Sequence, residues 1–443
     1  MTITQRIERT LLHLTNVDKM LATSIEILNS FAHNQALDSD KRLEAFPPRP
    51  LEGIPFTVKD VIDIAGIRTT GGSTTRHHHT PAAHSAEVIV RLLSSGAIPI
   101  AKDSTSEFAI GDMHTPLKGP CRNPWDPARW AGGSSSGTAV SVATGVVPFG
   151  IGTDVNGSIR MPAAFCGVVG LKLTRGLLPM NGILRMASST EVVGPIAKYA
   201  KTLHSVLPVL KNTSALKSQA GDSPTFLPRD IRLAVPHPSV FSNCDNSVIE
   251  GMNDFLELIE TQGGTIFTPS LPDMTYAPVA ARLIVSAEAA YEHCHESNAW
   301  HEYSAFTRQR LEYGRAISAT DYIRGQQYSR ALGKKLRRIL DQVDAIVLPT
   351  VPGTAPRISD AIMTINDTEV ETYQRQSEFV SICSITGFPA ISFPTGFDQS
   401  GLPVSTMLIG APRQEERLIS IVDMYQAQRP PTTPSNSSNE KTE

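Results

Sequence analysis

The stretch from residue 130 to residue 160, WAGGSSSGTAVSVATGVVPFGIGTDVNGSIR, limits what this chain can become more than any other. Two loops dense in glycine and serine, 132–137 and 152–158, flank a run, 138–151, that is almost wholly apolar. Flexible surface loops use the same two residue types, glycine for turns and serine for solubility. An apolar run of that length belongs in a core, however, and a buried element fixes the loops at both its ends. Glycine removes bulk where a backbone must turn sharply or come close to another group. What remains for chemistry, beside backbone groups, is a small set of side chains: Ser134, Ser135, Ser136, Asp154, Asn156 and Ser158. Two rigid loops at the ends of a buried element describe a site better than a linker.

The chain around this stretch is long enough, at 443 residues, to bury a large core. Its 19% charged and 40% hydrophobic residues fit a folded globular chain. A formal net charge of −3 gives no electrostatic ground for binding nucleic acid or an anionic membrane. Cys121, Cys166, Cys244, Cys294 and Cys383 show no CxxC spacing, so neither a zinc ribbon nor a disulfide framework is expected. The N-terminus, MTITQRIERTLLHLTNVDKM, lacks the apolar centre of a signal peptide. No apolar run approaches the roughly 18 residues that span a bilayer. A soluble, cytoplasmic protein is expected.

Apolar spacing at Ile7, Leu11 and Leu14, and again at Met20, Leu21, Ile25 and Leu28, predicts two amphipathic helices with a break near Thr15–Asp18. Residues 34–50 read as a polar connection ending in FPPRP. A short strand follows through Ile54, Phe56 and Val58, then a helix over 85–95 and a strand over 97–101, an α/β unit. A helix of small residues is predicted over 136–145, a strand over 146–151, and a second helix over 158–170 that starts directly after Ser158. Further along, helices over 247–262 and 320–342 and strands over 265–268, 345–349, 388–395 and 404–409 complete the pattern. The basic cluster Arg330, Lys334, Lys335, Arg337 and Arg338 lacks interleaved aromatics and reads as a solvated helix face. His77–His79 reads as a solvated loop, because adjacent residues rarely converge on a metal.

Lys59 has two readings. It pairs with Asp60 or Asp63, or burial without a partner disfavours its charge and leaves a neutral amine able to act as a base. In the second case serine hydroxyls can relay a proton between lysine and a nucleophile. Backbone N–H groups around Val155–Ser158 are then placed to stabilise an oxyanion, with Gly157 allowing the turn. Neither glycine loop matches the phosphate-cradling GxxxxGK[ST] pattern.

Several separated motifs bear on this choice: GIPFTVKD at 53–60, KDSTSEF at 102–108, GPCRNPWDP at 119–127, GGSS at 132–135 and GTDVNGSIRMPA at 152–163. FPAISFP at 388–394 and GLPV at 401–404 follow near the end. Together and in this order they resemble the amidase signature family, serine hydrolases with a Ser–cisSer–Lys triad. The resemblance covers 50–200 closely and 320–425 more loosely. It implies an α/β fold: a single large domain with a mixed sheet covered by helices on both faces. The expected layout is an N-terminal helical segment, 1–50, packed on the core. The catalytic domain, 51–425, carries a variable insertion at about 211–300, and a disordered tail, 426–443, follows.

Carried across residue by residue, the resemblance makes Lys59 the base, Ser134 the serine after a cis peptide, and Ser158 the acylated nucleophile. The backbone of Val155, Asn156, Gly157 and Ser158 becomes the oxyanion hole, and Ser135, Asp154 and Arg160 become supporting residues. The implied reaction is hydrolysis of a carboxylic amide to an acid and ammonia or an amine, with no metal or organic cofactor. The implied partners are a small-molecule amide and a second copy in a homodimer. Nucleic acid enters only under an alternative, the glutaminase component of a tRNA-dependent amidotransferase. A non-catalytic interaction protein of the same fold is a third reading. The sequence departs from the family pattern at Asn156, where many members have glycine, at Leu173, which interrupts L-K-P-T, and at Trp130–Ala131, which replace valine and proline. Specificity is expected to come from variable segments such as 66–84 and 180–190.

Overall fold

Eleven strands hydrogen-bond into one sheet in the computed structural model, which describes residues 1–213 and 228–434. In chain order they are β1 (Ser24–Ile27), β2 (Pro55–Lys59), β3 (Ile98–Asp103), β4 (Phe149–Asp154), β5 (Val169–Lys172) and β6 (Val192–Ala197). β7 (Arg232–Ala234), β8 (Thr265–Phe267), β9 (Ala345–Pro349), β10 (Ala390–Phe397) and β11 (Pro403–Gly410) follow. Across the sheet the order is β1-β3-β2-β4-β6-β5-β10-β11-β9-β7-β8. β2 is parallel to β3 and β4, and β7 is parallel to β8 and β9. The other pairs are antiparallel, so the sheet is mixed, as expected.

Alternate side chains of the strands feed two apolar clusters, as a pleated sheet between two helical layers requires. On β6, Val193 and Ala197 join one cluster and Ile196 the other. The helices divide the same way. α1 (Ile3–Leu21), α2 (Asn29–Leu43) and α4 (Ser136–Ala143) supply one cluster. α3 (Glu87–Ser94), α6 (Ala200–Leu210) and α7 (Asn246–Thr261) supply the other, and α5 (Arg160–Cys166) contributes to both. Every residue of α4 is buried. At Gly137 any side chain would meet the Thr23 carbonyl oxygen at 1.9 Å, which is why glycine stands there.

Four departures from the sequence reading matter. α1 runs unbroken through Thr15–Asp18, with Val17 and Leu21 extending its buried stripe and the Thr15 hydroxyl bonded to the Leu11 carbonyl at 2.8 Å. The break falls instead at Ala22 (φ 55), and β1 follows, removing Ile25 from the expected second helix. α2 occupies much of the expected connection 34–50; its buried positions are Ala32, Ala36 and Ser39, a weak apolar signal. The strand expected at 146–151 is displaced to Phe149–Asp154, and the helix expected over 158–170 ends at Gly167 (φ +69), giving way to β5. Finally, the helix Glu415–Gln428 passes the expected start of the tail, and the Gln426 side chain accepts a hydrogen bond from the Ala200 amide at 2.7 Å. Residues 435–443 of that tail, and 214–227 of the expected insertion, lie outside the described residues.

α8 (Ala277–Glu292), α9 (Ala305–Ala316) and α10 (Ala319–Leu340) complete the helices used below. α10 leaves Arg330, Lys334, Lys335, Arg337 and Arg338 exposed, as a solvated face does. Among the described residues no helix is long and apolar enough to cross a membrane.

Candidate active site

Parallel strands that lie side by side end at the same edge of a sheet, where α/β proteins open their ligand crevices. β2 ends in Lys59, and its parallel neighbour β4 ends in Thr153–Asp154. β6 runs the other way and starts at this edge, with Val192 opposite Asp154, which delivers Glu191 to the same place. The loop 132–137 docks there through Ser135: its amide donates to the Ser158 carbonyl (3.1 Å) and its hydroxyl to the Thr153 carbonyl (3.2 Å). The Gly133–Ser134 peptide is cis. Lys59, Ser134, Ser135, Asp154, Ser158 and Arg160, scattered over a hundred residues of sequence, are thus brought together.

Lys59 is completely buried. Its Nζ lies 2.6 Å from Ser134 Oγ and 2.8 Å from Thr153 Oγ1. Neither Asp60 nor Asp63 pairs with it; Asp60 is turned to Lys102, at 3.0 Å. Burial disfavours the ammonium form and lowers Lys59 from the usual lysine range to about 7, against the pull of the negative charges of Glu191 and Asp154. Burial likewise pushes the Glu191 carboxyl up, although the Met186 amide bonds one of its oxygens at 3.0 Å.

Asp154 and Arg160 form a second buried unit. Arg160 Nε and Nη2 each sit 2.9 Å from an Asp154 oxygen, a bidentate pair. Burial alone would raise Asp154, but the charge and hydrogen bonds of Arg160 outweigh it and hold the carboxyl at about 2. The remaining guanidinium hydrogens reach the Val380 carbonyl (2.9 Å) and Ser384 Oγ (2.8 Å), tying this edge to the helix Val380–Thr386. Asp154 also accepts the amides of Gly157 (2.7 Å) and Ile159 (3.2 Å), which shapes the loop before Ser158.

That loop turns at Gly157, with φ +102, a conformation few residues other than glycine adopt. Asn156 keeps a negative φ, so the left-handed tolerance of asparagine is not called on. Of the four amides expected to meet an oxyanion, Gly157's is committed to Asp154, whereas those of Val155, Asn156 and Ser158 carry no hydrogen bond among the described residues.

Ser134, Val155, Asn156 and Ser158 open on a cavity of about 100 Å³. Most of its other walls were not legible in the sequence. Trp130 and Met186 come from nearby loops, Arg282 from α8, Arg310 from α9, and Tyr373 and Gln376 from the segment before the helix Val380–Thr386. Of the segments expected to set specificity, 180–190 contributes Met186, and 66–84 contributes nothing to the lining. Trp130, Asn156 and Gln376 each present a buried side-chain nitrogen or oxygen without a hydrogen-bond partner among the described residues. His77–His79 lie exposed elsewhere, and no cluster of histidine, cysteine and acidic side chains arranged to hold a metal occurs among the described residues.

The model of the Amidase family matches residues 6–419. A glutamyl-tRNA(Gln) amidotransferase component from an Exiguobacterium species is 32% identical over 448 residues, with 92% of each chain covered. Fatty acid amide hydrolase of Arabidopsis thaliana is 32% identical over 417 residues, covering 90% of this chain and 68% of the plant enzyme. The structure of native peptide amidase from Stenotrophomonas maltophilia superposes with a TM-score of 0.80 at 25% identity, over 98% of this chain and 95% of that one.

Proposed function

This chain belongs to the Amidase family and is an amide-hydrolysing serine hydrolase, and we propose that Ser158 is its nucleophile, Ser134 its proton relay and Lys59 its base. The observation that carries the assignment is the 2.6 Å contact between Ser134 Oγ and a fully buried lysine amine that no carboxylate touches among the described residues. In its neutral form the amine keeps one lone pair and two N–H bonds. Thr153 offers both of those hydrogens an acceptor, its hydroxyl at 2.8 Å and its carbonyl at 3.5 Å, so the lone pair is left for Ser134.

Ser158 Oγ then attacks the amide carbonyl carbon while its proton passes through Ser134 to Lys59. The oxygen of the tetrahedral intermediate accepts hydrogen bonds from the uncommitted amides of Val155, Asn156 and Ser158. Gly157 acts by holding the turn, with its own N–H spent on Asp154. Ser135, Asp154 and Arg160 position the two loops. When the intermediate collapses, the proton returns through Ser134 to the leaving nitrogen, the C–N bond breaks, and water releases the acid from Ser158.

Ser158→Ala should abolish ammonia release and covalent labelling by a small fluorophosphonate while leaving the melting temperature unchanged. Ammonia released at the wild-type rate by the folded variant would refute the assignment of Ser158.

The glutaminase reading draws on the matched length and identity of the amidotransferase relative. The cavity argues for a free-standing amidase instead. Glutamine brings an ammonium group as well as a carboxylate, and no aspartate or glutamate is among the lining residues to receive it. A cavity of about 100 Å³ is likewise too small for a fatty acyl chain. The reading needs a small-molecule amide and no partner beyond a second copy of the chain.

A further inference from the structure

We propose that Arg282 and Arg310 form a carboxylate subsite, and that the substrate is therefore a short amide bearing an anionic group at the end away from the scissile bond. The inference rests on the amidase reading of the same cavity and names its substrate class. The two arginines reach the cavity from different helices, α8 and α9. Arg310 is half-buried and Arg282 is exposed at the rim. Among the described residues neither guanidinium forms a hydrogen bond or an ion pair. The partner Arg310 does have is the ring of Phe306, with 5.7 Å to its centroid.

This is an unusual way to keep arginine. Elsewhere in the molecule the buried guanidinium of Arg160 is matched by a carboxylate at 2.9 Å. Two like charges in one cavity repel, and Arg310 is held below the usual arginine range by burial and then by the charge of Arg282. A ligand anion relieves both costs, and the guanidinium fork fits a carboxylate with two parallel hydrogen bonds. Trp130 adds a buried indole N–H without a partner, a further donor for an anion. The unpartnered acceptors, Asn156 Oδ1 and Gln376 Oε1, suit the NH₂ group of a primary amide. The lining thus holds two cations, a free donor and two free acceptors, with no acidic side chain. A volume of about 100 Å³ limits the chain between amide and carboxylate to a few carbons.

The test is calorimetric titration of folded Ser158→Ala protein with malonamate, succinamate and glutaramate, each against its neutral diamide. At least one monoanion should bind about tenfold or more tightly than its diamide, as a charge-assisted bidentate contact requires. Adding Arg310→Met should bring that ratio close to one, Arg282→Met should lower it in part, and Arg310→Lys should restore part of it. The proposal is overturned if every monoanion binds within about threefold of its diamide, or binds not at all. It is also overturned if the ratio survives both methionine variants in folded protein. Failure of the catalytic reading shows separately, as ammonia release by Ser158→Ala, because the binding ratio is read from heat.

Discussion

Lys59 and Lys102 lie on neighbouring parallel strands, and both are fully buried, yet only Lys102 has a carboxylate at its nitrogen. The register explains the split. Lys102 is level with Val58, so the two lysines are one residue out of step, and successive side chains of a strand face opposite ways. On its side Lys102 meets Asp60 at 3.0 Å and Thr69 Oγ1 at 2.9 Å. Asp60 is braced in turn by the Thr70 amide at 3.1 Å. Among the described residues Lys59 meets only hydroxyls and a carbonyl, those of Ser134 and Thr153. Burial leaves a lysine neutral, and so free to accept a proton, only where no counter-ion accompanies it. A third buried lysine, Lys172, adds a second condition. Burial lowers it to about 8, but its nitrogen contacts the Leu173 and Phe388 carbonyls at 3.1 and 3.0 Å, and no hydroxyl leads from it toward a substrate. A base needs both a depressed pKa and a path for the proton.

Replacing each lysine by methionine should break the pair in opposite directions. Lys59→Met should lower kcat/KM by about 10³-fold or more, the upper range for removing a general base, with the melting temperature unchanged or raised. Lys102→Met should instead cost about 3–5 kcal/mol of stability, because Asp60 is left buried without its counter-charge. Steady-state kinetics and denaturant melts on the same two proteins check this. Equal losses of activity at equal stability would remove the distinction. A smaller effect comes from Glu191, whose negative charge raises Lys59. Glu191→Gln should therefore move the acid limb of the kcat/KM profile to lower pH, and a limb that stays in place or rises would exclude electrostatic contact between the two.

Ser134 and Ser158 were legible as candidates in the sequence because each sits in a short loop whose glycines and serines have few other uses, whereas Lys59, open to two readings in its own neighbourhood, was singled out only by the resemblance. The mixed sheet came from the resemblance, while β2 and β3 were legible on their own as short apolar runs between turn residues. Where the reading failed, the signal was missing from the local chain. No glycine marks the end of α1, where Ala22 takes a left-handed conformation. The apolar run after Cys166 continues from helix into strand, with only Gly167 to divide them. Thr153 falls in the expected loop 152–158, and only the displacement of β4 by three positions puts it at a strand end facing Lys59. Glu191, Arg282 and Arg310 belong to no motif. They reach the site through strand order and helix packing, which leave no trace in the residues beside them.

The direct measurement is a pH titration of the Lys59 side chain by ¹³C NMR at Cε, in protein labelled at lysine and assigned through Lys59→Met. A midpoint near 7 is expected, where burial without a direct counter-ion puts it, so that the neutral amine prevails above that pH and protonation removes the base below it. A side chain that stays charged up to the ordinary lysine value of ~10.4 would contradict the role of Lys59 as a neutral base.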